Sequence, residues 1–331
     1  MKKILVLATG GTIASGGADG LKPSLGVFDM IQRVPGICSN YEVTARDILH
    51  LDSSNIQPEE WRYIAECVDS EYKGFDGIVI THGTDTLSYT ASALSFMLRG
   101  INIPVVLTGS QLPLENPLTD AYDNLRYAFA MAASGVGGVF VCFDRKIILG
   151  CRAVKVRTVG FEAFESVNYP YIADVAASGG LEINLSAVPQ NDDYSFSGDI
   201  SGNVFLIKLT PGLDPAIFDM LLDMKYGGIV IEAFGAGGLH YIHRDLPSKL
   251  SRFADKGIPV VITSQCLYEK SDLSVYEVGR RALASGVLEA NDMTTEAAFV
   301  KLKWLLAKGL SYEELCTEFR KNYVGETSVQ A

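Results

Sequence analysis

The sequence predicts an α/β protein in two parts: a larger N-terminal domain on a mainly parallel sheet with helices on both faces, and a smaller C-terminal α/β domain. Three features carry that expectation. Short unbroken apolar runs recur, as at residues 4–8 (ILVLA) and 103–108 (IPVVLT), and such runs suit strands covered on both faces. Between them lies helical spacing, as in Leu87, Ala91, Leu94 and Leu98. Residues 189–201 (PQNDDYSFSGDIS) are polar, turn-rich and free of an apolar period. Strands alternating with helices make a parallel sheet with helices packed on it. The expected division is therefore 1–188, a linker at 189–202, and 203–331.

Composition narrows the classes of function. The chain has 331 residues, 48% hydrophobic and 20% charged, which describes a folded soluble protein with length for two cores. A formal charge of −11 leaves no basic surplus to neutralise phosphates, so neither nucleic acid nor an anionic membrane is expected as a partner. Lys301, Lys303 and Lys308 are the densest basic group and are expected to solvate one helix face. Cys38, Cys67, Cys142, Cys151, Cys266 and Cys316 contain no C-x-x-C pair, which fits a reduced, cytoplasmic protein. The apolar run behind Lys2 and Lys3 is too short for a signal peptide, and no run is long enough to span a bilayer.

The first strand ends abruptly in Thr9, Gly10, Gly11 and Thr12, which presents two threonine hydroxyls where glycine permits close approach. In open α/β sheets that edge holds ligands. Neither G-x-G-x-x-G nor a G-K-[ST] ending is present, so the turn offers hydroxyls without a phosphate cradle. Residues 16–26 (GGADGLKPSLG) read as a surface loop, a candidate lid or a plain connection. Asp52, Ser53, Ser54 and Asn55 precede a helix that starts near Pro58, and an N-cap alone explains one of these serines.

The second strand, 75–81, delivers His82, Gly83, Thr84, Asp85 and Thr86 into a helix N-terminus. His82 has no metal-ligand spacing around it and reads better as a turn or supporting residue than as a catalyst. Strands at 103–108 and 136–143 follow. Lys155, in CRAVKVRT, lies opposite its valine neighbours if that segment is extended. It gains interest if it points at Asp85, where a carboxylate could hold it and a hydroxyl could use it. Beyond the linker, strands are expected at 203–209, 228–233 and 258–263, and helices at 294–308 and 312–323, with residues 289–292 capping the first of these. IPVVITSQ in this half resembles IPVVLTGSQ in the first, the same strand-to-helix constraint met twice.

Together these groups suit nucleophilic hydrolysis without cysteine, a serine–histidine pair or a metal. A threonine hydroxyl needs a base, which a lysine held by a carboxylate can supply, and backbone N–H groups at glycine turns can stabilise an oxyanion. The residues alone reach a hydrolase without a substrate.

TGGTIAS at residues 9–15 and THGTDTL at 81–87 make the sequence similar to the L-asparaginases, in particular their bacterial cytoplasmic (type I) branch. The resemblance extends through DSSN at 52–55, VKV with its downstream GFEAFESVN, and NDMTTEAAFVKLKWLL, and so covers essentially the whole chain. It implies hydrolysis of L-asparagine to L-aspartate and ammonia through a β-aspartyl threonine, with no cofactor and no metal. By the same likeness Thr12 is the nucleophile, and Thr84, Lys155 and Asp85 form a second set that activates the attacking group or water. Ser53, with Asp52 and Ser54, would hold the substrate α-carboxylate, and Asp85 the α-ammonium. The family assembles as homodimers or homotetramers with sites near subunit interfaces. Two positions depart from its pattern. A loop tyrosine in GY-x-P is replaced by Leu21 in Gly20-Leu21-Lys22-Pro23, and the second-domain glycine turn reads GAGGL at 235–239 without the usual asparagine. Alternatives at this stage are a glutaminase-asparaginase or other small-amide hydrolase, and a non-catalytic amino-acid sensor. The related tRNA-dependent amidotransferase components carry an extra N-terminal domain, whereas Thr12 is the twelfth residue here, and net acidity disfavours tRNA.

Overall fold

A computed structural model describes residues 1–16, 22–23, 26–177, 179–190, 193–200 and 203–328. The chain divides into two compact units, Met1–Gly198 and Asp199–Ala331. Leu21 and most of the candidate lid lie outside the described residues.

The first unit is built on an eight-stranded sheet in the order Leu181–Ile183, Ala173–Val175, Lys146–Leu149, Gly138–Phe143, Pro104–Thr108, Gly77–Thr81, Lys2–Gly10, Tyr41–Leu51. The last five run parallel. The three at the other end are antiparallel, so the sheet is mixed but mainly parallel. In chain order the parallel strands read 2-1-3-4-5, and the winding reverses between Lys2–Gly10 and Gly77–Thr81. Such a reversal opens a crevice at the carboxyl ends of those two strands. Ile4, Leu5, Val6 and Leu7 are wholly buried, as are Ile78, Val79, Ile80, Val105, Val106 and Leu107. Neighbouring strand residues face opposite ways, so unbroken burial means that both sheet faces are covered.

The helix Leu87–Met97 is buried almost all round, including Ser88, Thr90, Ser92 and Ser95. Ser95 answers its burial by donating to the Ala91 carbonyl at 2.7 Å. Part of the segment read as a linker belongs to this unit: Ser195–Phe196 pairs antiparallel with Leu98–Arg99. Tyr194 donates to Asp69 Oδ1 at 2.6 Å and packs on the Tyr72 ring. Turn-rich composition hides these two aromatic residues as anchors.

The second unit carries four parallel strands in chain order, Val204–Lys208, Gly228–Ala233, Val260–Ser264 and Leu288–Glu289. Ile229, Ile231 and Ile262 of the sheet share a core with Phe218, Leu250 and Phe253. The helix Thr295–Leu306 is capped by Thr294, whose Oγ1 accepts from the Ala297 N–H at 3.0 Å, rather than by residues 289–292. Asp292 instead accepts from Thr327 Oγ1 and the Ser328 N–H, 35 and 36 residues on.

The expectation of a solvated lysine face fails at Lys301. That side chain is wholly buried and pairs with Glu326 at 2.6 Å, while its Nζ also donates to the Lys321 carbonyl at 2.5 Å. The rings of Phe319 and Tyr323 stand 5.2 and 5.3 Å from the ammonium. Lys308 lies 3.4 Å over the Trp304 ring. The carboxylate that neutralises Lys301 comes from 25 residues downstream, beyond the reach of a helical charge pattern.

Candidate active site

The turns at the winding reversal are held together by missing side chains. Gly11 adopts φ +90°, and a Cβ there would lie 2.6 Å from the Gly83 nitrogen. A Cβ on Gly83 would in turn lie 2.6 Å from Ser53 Oγ. Real carbon atoms cannot approach so closely, so glycine lets the first two turns pack backbone on backbone and leaves room for the Ser53 side chain against Gly83. The three turns carry Thr12, Thr84 and Ser53. Thr12 opens a single 3-10 turn, Thr12–Ala14, and the Ile13 carbonyl accepts from the Leu114 N–H at 3.4 Å.

Lys155 ends the short strand Ala153–Lys155, which pairs with Phe164–Ser166. Its Nζ lies 2.8 Å from Thr84 Oγ1 and 2.5 Å from Asp85 Oδ1. Thr84 is buried; the Lys155 side chain is 17% exposed and that of Asp85 62%. The extended reading of CRAVKVRT holds at Ala153–Lys155, while Cys151 and Arg152 lie in a 3-10 turn, and the lysine points where it gains chemical interest. The carboxylate fixes the amine, and the amine touches the hydroxyl.

Around Ser53 the polar groups sort by their hydrogen bonds. Asp52 Oδ1 accepts from both the N–H and the hydroxyl of Ser54, at 2.9 and 2.6 Å, and caps the 3-10 turn Ser53–Asn55. The Ser54 hydroxyl and N–H hold the Asp52 carboxyl below its usual range. The helix at Pro58 is capped separately, by Glu60 accepting from the Gln57 N–H at 2.8 Å. Ser53 Oγ accepts from the Asp85 N–H at 3.1 Å and keeps its hydrogen to give. Asp52 and Ser54 thus bind one another, while Ser53 faces the threonine–aspartate turn.

His82 is a supporting residue. It is 1% exposed, its Nδ1 is 2.7 Å from the Gly83 carbonyl, and its Nε2 is 2.9 Å from Thr90 Oγ1. A carbonyl only accepts, so Nδ1 carries the proton and the Thr90 hydroxyl donates to Nε2. Burial lowers the imidazole pKa to about 4, so it is neutral near pH 7. Sequence reasoning missed Thr90 and also Thr86, whose hydroxyl donates to the Ser53 carbonyl at 2.6 Å. Thr86 stands inside THGTDTL, where another threonine drew the attention; Thr90 is eight residues from its partner and carries no local signal. Among the described residues no group of three or more His, Cys, Asp or Glu is placed to hold a metal ion.

Two family models match this arrangement of sheet and turns: the N-terminal asparaginase domain over residues 3–189 and the glutaminase/asparaginase C-terminal domain over 203–319. The chain belongs to the asparaginase family. It is 46% identical to an L-asparaginase of Thermococcus kodakarensis over 329 residues, 98% of each chain. A solved structure of the thermostable L-asparaginase from that organism superposes with a TM-score of 0.93 over 99% of this chain and all of that one, at 44% identity. L-asparaginase I of Vibrio cholerae gives 0.86 at 30% identity, over 99% of both. A component of the Pyrococcus abyssi glutamyl-tRNA(Gln) amidotransferase is 35% identical over 98% of this chain and 77% of its own length.

Within the asparaginase C-terminal region, the GAGGL turn is closed by Phe234 and Gly238, whose backbones exchange hydrogen bonds of 3.1 and 2.6 Å. No described helix is long and apolar enough to cross a membrane.

Proposed function

We propose that this asparaginase-family protein hydrolyses L-asparagine to L-aspartate and ammonia through a covalent β-aspartyl threonine. The observation that carries the reading is the contact of Lys155 Nζ with both Thr84 Oγ1 and Asp85 Oδ1, beside the glycine-packed turn that bears Thr12. In the first half-reaction Thr12 Oγ1 bonds to the side-chain amide carbon. The C–N bond then breaks, and nitrogen leaves as ammonia with the hydroxyl proton. In the second, water attacks the ester carbon and returns Thr12 as a hydroxyl. Lys155 relays the proton through the Thr84 hydroxyl, and Asp85 keeps it in place. Ser53 donates to the substrate α-carboxylate and Asp85 receives the α-ammonium, with Asp52 and Ser54 shaping the Ser53 turn.

Ammonia release from asparagine tests this directly. Thr12→Ala and Thr84→Val are each expected to abolish it in folded protein, and full activity in either contradicts the assignment. Asparagine and glutamine differ by one methylene, worth about 1–3 kcal/mol in a confined site, so relative kcat/KM separates asparaginase from glutaminase-asparaginase. Calorimetry showing asparagine binding without turnover would instead support a sensor. We further propose a cytoplasmic homodimer or homotetramer, which sedimentation of the purified protein tests.

A further inference from the structure

The second unit contains a cavity that the asparaginase chemistry does not use. It has a volume of about 350 Å³ and is walled by the Pro211-Gly212 turn, by Phe234, and by the segment 239–244. Pro211 and Gly212 follow the strand Val204–Lys208 and Phe234 follows Gly228–Ala233, so the cavity opens at the carboxyl edge of a parallel sheet. That edge is where α/β sheets hold ligands, and the volume falls in the range of small-molecule sites.

Its chemistry is specific. Phe234, Leu239 and Ile242 give it a mainly apolar wall, and His240, His243 and Arg244 bring three nitrogen-bearing side chains to it. This happens in a chain whose formal charge is −11. The carboxylates nearest in sequence are turned to other work: Asp245 caps the helix Leu246–Ala254 through the Ser248 N–H at 3.1 Å, and Asp214 accepts from the Ala216 N–H at 2.9 Å. Arg244 makes no ion pair among the described residues. His240 Nε2 is buried with no hydrogen-bond partner, a condition that native interiors seldom tolerate. Tyr241, in the same wall, is fixed by the Arg281 guanidinium 4.7 Å over its ring.

We infer that this cavity binds a small carboxylate with a hydrocarbon body, the hydrocarbon against Phe234 and Leu239 and the carboxylate against Arg244 and the neighbouring imidazoles. None of these residues belongs to the Thr12, Thr84, Asp85 and Lys155 set.

Titration calorimetry on the full chain tests it with 4-methylpentanoate, its neutral amide, and acetate. The carboxylate is expected to bind saturably at one site per chain. The amide should bind at least about 10-fold more weakly for loss of the charge-assisted bonds, and acetate more weakly for loss of the apolar contact. Arg244→Gln and His243→Gln alter exposed side chains and should fold normally. Each is expected to weaken 4-methylpentanoate about 10-fold or more while ammonia release from asparagine is unchanged. Absence of saturable binding, equal binding of acid and amide, or affinity unchanged in both variants would overturn the inference.

Discussion

The two sheets end in closely similar sequences, and the comparison separates what a strand-end hydroxyl does by default from what it does in a site. In the first unit Thr108 donates to the Cys142 carbonyl at 2.8 Å, and the Gln111 amide donates to the carbonyls of Thr158 and Gly160 at 3.3 and 2.9 Å. In the second unit Thr263 donates to the Ile231 carbonyl at 3.3 Å, and the Gln265 amide donates to those of Leu209 and Glu232 at 2.7 and 3.0 Å. In each case the threonine ties its strand to a neighbour and the glutamine bridges two backbone carbonyls. These hydroxyls are structural.

Thr84 differs because a lysine from a distant strand reaches it along with a carboxylate. At the second edge the nearest equivalent is Glu232, which accepts from Thr295 at 3.0 Å and stands 4.0 Å from Lys208, without a hydroxyl in between. On the proposed mechanism a strand-end threonine becomes chemical when a lysine from a distant strand joins the carboxylate beside it.

The largest effect that tests this contrast is at Lys155. Removal of a general base costs roughly 10² to 10⁴ in rate, so Lys155→Met should lose about that much kcat with asparagine. Thr263→Val at the matching second edge should leave kcat within about twofold and cost about 1 kcal/mol of stability, the worth of one neutral hydrogen bond. Equal kinetic losses from both variants would erase the distinction. A smaller loss is expected from Gly11→Ala, where the new methyl meets the Gly83 backbone and the residue must hold φ +90°. Displacement of the Thr12 turn by about 1 Å is worth about 10² in kcat, read from steady-state kinetics on protein whose circular dichroism is unchanged.

Much of this was readable beforehand. Unbroken apolar runs at residues 4–8 and 103–108 foretold strands buried on both faces, and the threonine turns foretold a polar edge. Alternation in CRAVKVRT placed Lys155 away from its valines, and the structure adds what it meets. What escaped were partnerships across long separations. Lys301 looked like a solvated helix residue because Glu326 lies in a different segment, and Asp292 looked like a cap because Thr327 and Ser328 are equally remote. Periodicity reports which way a side chain faces and stays silent about the charge waiting there.

Lys301 gives the comparison a stability counterpart. Asp85 and Lys155 are partly open to water, whereas Lys301 and Glu326 are both wholly buried. Removing one member of a buried pair strands the other charge, so Lys301→Met should destabilise the second unit by about 3–5 kcal/mol in urea unfolding. A change below about 1 kcal/mol would show that Glu326 is satisfied without the lysine, by the Tyr323 and Val324 N–H groups that it also accepts from.

An effect confined to acid pH is expected at His82. Its folded pKa, about 4, lies below the ordinary 6.5, so between these values the unfolded chain binds a proton that the folded chain refuses. Stability from this group is fully present above pH 6.5 and falls by about 1.4 kcal/mol per unit as the pH drops toward 4. His82→Gln should remove that slope from the urea midpoint, and an unchanged slope would assign the acid sensitivity to other groups.

The central claim is that the first edge carries a covalent threonine intermediate. Acid quenching of the enzyme during asparagine turnover, followed by proteolysis and mass spectrometry, tests it most directly. An aspartyl adduct on the peptide bearing Thr12, absent in Thr12→Ala, is the expected result. An adduct on the Thr84 peptide instead, or an intermediate-free enzyme that releases ammonia and aspartate in one step, would contradict it.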